Sequence, residues 1–267
     1  MTVLKRLISP IAALAVLAFA GAAVAATFTG TNGPDFIVGT NQNDTIEALG
    51  GDDTVFGLNG NDFIDGDSGD DLLVGDGRCS GASGTTNPDY TSCDERAGTG
   101  NDRIEGRDGD DRLVGGEGND RLGGGDDDDR LEAGNGRDEL RGGIARDFLS
   151  GGNGNDLMFG GRENDRIFGG GDNDNISGDT GDDFLRGDLG NDVMSGASGD
   201  DAIEGRSGND RISGDSGLDR LIGGAGDDVI NARDGQRDTI ACGSGRDRVT
   251  ADRIDGVGRD CEVVSRR

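Results

Sequence analysis

Residues 115–123 read GGEGNDRLG, and the same form returns with a step of nine along most of the chain. Each copy sets glycines ahead of an Asp and a large apolar residue two places after it. The Asp positions are Asp35, Asp44, Asp53, Asp62 and Asp71, then, after a gap of 31, Asp102, Asp111, Asp120, Asp129, Asp138, Asp147, Asp156, Asp165, Asp174, Asp183, Asp192, Asp201, Asp210, Asp219 and Asp228. One added residue then gives Asp238 and Asp247. The residue two places on is Ile, Leu, Val or Met in every copy, from Ile37 to Val249. Self-similarity at a fixed period is the sequence signature of a stacked repeat architecture and constrains the fold more than composition does.

A period of nine fits neither a helical heptad nor simple strand alternation. Helices are further disfavoured because Gly, 54 of the 267 residues, costs about 1 kcal/mol at each helix-interior position. The nine divide into a six-residue glycine turn and a three-residue strand. In Arg112-Leu113-Val114 or Arg211-Ile212-Ser213, the middle side chain faces opposite to its neighbours. Those neighbours are often polar, so the middle residue faces in. Two copies make one flattened coil, and the coils stack as parallel sheets. The fold class read from the pattern is all-β: a parallel β-roll, or β-solenoid, of nine-residue half-coils, two per turn.

Charge opposes this architecture. The chain carries −28, with no His, no Trp, one Tyr and three Pro. Residues 1–26 read as a secretory signal peptide, with Lys5 and Arg6 before an apolar run from Ile11 to Ala20 and an Ala23-Val24-Ala25 cleavage pattern. Its removal takes two cations and no acid, moving the net charge from −28 to −30 and leaving Arg as the only basic residue type. Low apolar content with high net charge is the signature of disorder. Burying one aliphatic side chain per copy gains about 1.5–3 kcal/mol, whereas ordering each backbone residue costs roughly 1–2 kcal/mol. The acids must be neutralised for the coil to close.

The pattern G-G-x-G-x-D-x-U-x, U being a large apolar residue, resembles the hemolysin-type, or RTX, calcium-binding repeat, a parallel β-roll that serves among the standard examples of repeat architecture. The resemblance covers about residues 30–250. It is complete at Gly115-Gly116-Glu117-Gly118-Asn119-Asp120, at Gly151-Gly152-Asn153-Gly154-Asn155-Asp156 and at Gly223-Gly224-Ala225-Gly226-Asp227-Asp228. It implies Ca2+ as the cofactor. Turn carbonyls and Asp carboxylates of two neighbouring turns on one edge can supply the six to eight oxygens that Ca2+ takes at 2.3–2.6 Å, whereas Mg2+ demands a stricter octahedron. Zinc and copper prefer imidazole or thiolate, and the chain has no His. The candidate ligands are Asp53, Asp62, Asp71 and the fifteen Asp from Asp102 to Asp228, with Gly116, Gly118, Gly152, Gly154, Gly224 and Gly226. The fifteen-copy run offers thirteen same-edge pairs, hence up to about thirteen ions. The fourth-place Gly is replaced by Gln42, Asp127, Ala145, Glu163 and Asp172. Ala and Glu reach positive φ with difficulty, so the sites around residues 142–165 are expected to be the least regular.

The expected organisation is a signal peptide (1–26), N-terminal coils (27–77), an inserted disulfide loop (78–99), the main roll (100–241) and a disulfide-stapled C-terminal cap (242–267). Four cysteines, Cys79, Cys93, Cys242 and Cys261, allow three connectivities, and proximity favours 79–93 and 242–261. Val257, Val263 and Val264 are candidates to cover the last coil, and Phe28 the first. Without His the usual general base is missing, the Gly-rich turns lack a phosphate-loop Lys, and no enzyme is expected. Ice binding would need a Thr row at the third place, which only Thr99 and Thr180 occupy. Nucleic acid is disfavoured by the charge, and so is an anionic membrane surface. The leading expectation is a secreted, extracellular calcium-binding protein with a structural or surface- and matrix-associated role. The alternative is a calcium-dependent adhesin or toxin-like accessory module that binds a partner through the 78–99 loop.

Overall fold

The computed structural model describes residues 25–76, 78–79, 93–94 and 99–266. The leader, apart from Ala25 and Ala26, and most of the 78–99 loop lie outside the described residues. The described chain is an all-β parallel solenoid. Successive strands alternate between a thirteen-stranded and a twelve-stranded sheet, so one coil takes one strand from each. Leu113 pairs with Leu131, and Leu122 with Leu140, an offset of two copies. Across the insertion Ile64 pairs with Ile104, and across the added residue near 236 Leu221 pairs with Ile240. Both irregularities are absorbed at bends, and the register of the sheets is kept.

The apolar residue of every copy points between the two sheets. From Ile37 to Val249 none of these side chains is more than 6% exposed, and they form one continuous core column. Phe28 joins it in register with Ile46. The stack follows from the pleat: one buried residue between two outward ones, repeated once per strand.

Most strands are longer than the three residues the pattern suggests. Arg112–Glu117 and Arg130–Asn135 pair over the apolar triplet and again at Gly116↔Gly134 and Glu117↔Asn135. Position 2 of these copies takes a left-handed φ, 122° at Gly116 and 116° at Gly134, yet keeps its ladder bonds. The bend itself is thus only about three residues. Ala145 and Glu163 also adopt positive φ, 78° and 70°, as do Asp127 and Asp172. Ala145 and Glu163 thus reach the left-handed region despite their side chains. Stacking on the coils either side offsets a left-handed penalty of about 1–2 kcal/mol for a residue bearing Cβ.

Cys242 and Cys261 form a disulfide with Cα atoms 5.2 Å apart, and Val257 and Cys261 pack on the core. The strand Val263–Arg266 adds to the sheet beside Arg248–Ala251, with Val264 in register with Val249, and Val263 and Val264 are 42% and 37% exposed. Cys79 stands opposite Cys93 in a short antiparallel pair, but their side chains lie outside the described residues. The outward residues are not polar throughout. Phe56, Leu58, Val74 and Val114, with Phe36, Val38 and Leu72 against them, form a second apolar cluster on the outer side of the twelve-stranded sheet.

Leu149 is fully buried in mid-column. Leu149→Ala is expected to destabilise the folded chain by about 2–5 kcal/mol, as truncations in close-packed cores do. Denaturant unfolding under folding conditions checks this.

Candidate metal centre

The nine-residue period places all repeat aspartates in two columns, one along each edge of the flattened coil. One column contains Asp53, Asp71, Asp111, Asp129, Asp147, Asp165, Asp183, Asp201 and Asp219; the other contains Asp62, Asp102, Asp120, Asp138, Asp156, Asp174, Asp192, Asp210 and Asp228. All are at most 3% exposed. Each uses Oδ1 in the same way. The backbone N–H of an Asp donates to Oδ1 of the Asp one coil further on: Asp102 to Asp120 at 2.8 Å, Asp120 to Asp138 at 2.7 Å, Asp138 to Asp156 at 2.9 Å. The ladder crosses the insertion without a break, Asp62 N–H reaching Asp102 at 2.7 Å.

The preceding residue runs a second ladder in the opposite sense. Asn119 N–H donates to Asn101 Oδ1 at 2.6 Å, and Asn191 N–H to Asn173 Oδ1 at 2.8 Å. Two consecutive bend amides, which no sheet partner can satisfy, thus find side-chain acceptors on the coils before and after. The recurring Asn-Asp and Asp-Asp pairs could have signalled this from sequence.

The other carboxylate oxygen is left over. In every repeat Asp from Asp53 to Asp247, Oδ2 is buried and has no hydrogen-bond partner. These atoms point into the bends, over the first glycine of the copy: a Cβ at Gly115 or Gly160 would collide with Oδ2 of Asp120 or Asp165. A buried, unpaired carboxylate oxygen is costly. Here the cost recurs at each bend, with like charges on neighbouring coils. Burial is the main cause that pushes these carboxyls up, from the ordinary 3.8 to about 7 at Asp62 and Asp138, about 8 at Asp111, Asp129 and Asp174, and about 9 at Asp102. The ladder N–H pulls them down, and aspartates one coil away push them up further.

Asp238 and Asp247, not among the expected ligands, share the same geometry. At the C-terminal end Asp255 and Glu262 take over as acceptors for the N–H groups of Asp238 and Asp247, at 3.2 and 2.9 Å. Glu262 breaks the repeat phase, so periodicity could not have found it. At the other end the carboxylates are differently provided for. Thr40 donates its N–H and hydroxyl to Asp44, and Thr31 does the same for Asp35.

A hard cation suits this arrangement. It would meet anionic oxygen on both edges, between coils whose bends also carry carbonyls. Among the described residues no three carboxylate, imidazole or thiolate groups converge on one point. Carboxylates alone would not fill the shell, and backbone oxygens must complete it. Gly118, Gly154 and Gly226 lie in these bends, Gly116, Gly152 and Gly224 in the strand ends that lead into them, and all six have left-handed φ.

The pH dependence of the metal-free chain follows. The folded carboxyls have pKa values raised above the unfolded value, so the folded coil holds more protons. Their stabilising contribution is complete below about pH 4 and is lost as pH climbs through about 6 to 9. In chelator, strand content measured by circular dichroism is expected to fall as pH rises across that window. A gain in structure with rising pH would contradict the burial of these groups.

Comparison with curated proteins gave no match. Comparison with protein families matched the RTX calcium-binding nonapeptide repeat nine times, over residues 29–64, 48–77, 96–131, 123–158, 132–167, 150–185, 168–203, 204–237 and 213–249. These spans cover both rows of orphaned carboxylates and most of the chain; it belongs to the family of RTX calcium-binding nonapeptide repeats.

Proposed function

We propose that this chain is a secreted calcium-binding protein in which Ca2+ held between adjacent turns drives folding, and that its role outside the cell is structural or surface- and matrix-associated. The observation that carries the reading is the double row of buried Oδ2 atoms without partners. Ions would be held by Asp53, Asp62, Asp71 and the run from Asp102 to Asp228, with bend carbonyls completing each shell. Ca2+ tolerates the irregular, oxygen-only cage that two stacked bends offer. Bound there, it supplies the counter-charge that permits ionised carboxylates inside the coil. Secretion is supported by the leader pattern of residues 1–26 and by the Cys242–Cys261 disulfide, since such bonds persist in oxidising compartments.

Far-UV circular dichroism in chelator at neutral pH is expected to show a mostly unordered chain, with a strand spectrum appearing steeply on adding Ca2+, because stacked repeats couple to their neighbours. A spectrum unchanged by calcium would overturn the reading. Single substitutions refine it. Asp156→Asn removes an orphaned oxygen and is expected to raise the calcium midpoint, whereas Asp44→Asn, whose carboxylate Thr40 already satisfies, shifts it less. The secreted protein should lack residues 1–26 by mass spectrometry. A full-length chain retained in the cell contradicts the localisation.

A further inference from the structure

One buried carboxylate lies outside the two columns of repeat aspartates. The chain leaves the coil after Asp76 and re-enters it at Thr99. Gly75 and Asp76 act as the first two residues of the bend that ends in Asp102. A Cβ at Gly75 would strike Asp102 Oδ2, as one at Gly106 would strike Asp111 Oδ2. Gly75 N–H and Asp76 N–H donate to the carbonyls of Val114 and Gly115 on the next coil, both at 2.9 Å. Thr99 then accepts from Gly60 N–H. The inserted segment therefore splits one bend between its second and third places.

The second place of an intact bend takes a left-handed φ, which turns a side chain outward. Asp67 and Asp215, at φ 74° and 65°, are exposed there, and Asp179 and Asp188, at 71° and 74°, are half-buried. Asp76 is not left-handed, since the chain departs at that point. Its side chain turns inward and is 0% exposed. Oδ2 accepts the N–H of Glu117 at 3.0 Å, while Oδ1 is buried without a partner. On the same edge lie the orphaned Oδ2 atoms of Asp62, Asp102 and Asp120.

We propose that Asp76 is an additional calcium ligand, outside the two repeat Asp columns, which completes a metal site at the split bend between Asp102 and its neighbours in the column. The proposal rests on the calcium reading above. The insertion cuts the backbone of this bend between Asp76 and Thr99, and the buried Asp76 carboxylate stands at the cut. The carboxylates do not converge in the metal-free arrangement, so the ion draws Asp76 Oδ1 inward by rotation of the side chain. Calcium at this site ties together the two ends of the inserted segment.

Calorimetric titration of the full mature chain with CaCl2, with equilibrium dialysis as the count, tests this on wild type, Asp76→Asn, Asp76→Gly and Asp67→Asn. Asp76→Gly restores the residue usual at this place, and circular dichroism at saturating calcium establishes that each variant folds. Both Asp76 variants are expected to bind one ion fewer, or to weaken one site by about 10–100-fold, as loss of a supporting group at a metal does. Asp67→Asn leaves count and affinity unchanged. A folded Asp76→Gly chain that keeps the wild-type count and affinity overturns the proposal and leaves the general calcium reading intact. Absence of calcium binding by the wild type overturns that reading instead.

Discussion

Each bend from Asp53 to Asp247 buries a carboxylate and satisfies only half of it. Oδ1 is committed to the backbone of the neighbouring coil, and Oδ2 is closed off from water with nothing to meet it. Apolar contacts cannot remove that cost, because each copy contributes only one large core side chain. A proton can remove it in acid, and a divalent cation can remove it at neutral pH. Under the proposed function, the charge that disfavours folding in the bare chain is thus the group that makes folding conditional on an ion.

The same carboxylates join the coils. From Asp53 to Asp247 each repeat Asp receives a hydrogen bond from one neighbouring coil and donates its own N–H to the other, while the residue before it, as at Asn119, bonds in the reverse direction. An ion seated in a bend therefore fixes an acceptor on which the adjacent coil depends. Coupling of this nearest-neighbour kind makes a linear array fold cooperatively. The ends are closed by side chains: Thr31 and Thr40 at the start, Asp255 and Glu262 at the finish, the latter held beside the Cys242–Cys261 disulfide.

The core column and the two Asp columns were legible from spacing, since an apolar residue two places after each Asp can satisfy a pleated strand in one way only. Ala145 and Glu163 reach positive φ against their local propensity, which is a term that stacking on both sides can override. The outer cluster around Phe56 and Val74 has no periodic signature, because it depends on which strands are adjacent across two copies. Asp76 carried no signal at all in sequence. Its burial follows from where the insertion cuts the bend, and only the stacked coordinates place that cut after residue 76.

Small-angle X-ray scattering of the mature chain at neutral pH, in chelator and in saturating calcium, reads the central claim most directly. With calcium, a rod of about twelve coils spaced roughly 4.7–4.9 Å apart should give a radius of gyration of roughly 20 Å. In chelator the ion-stripped chain should expand toward the roughly 50 Å of an unfolded polymer of this length. The same compact rod in both solutions, with the disulfide intact, would show that the buried carboxylates need no cation and would contradict the account.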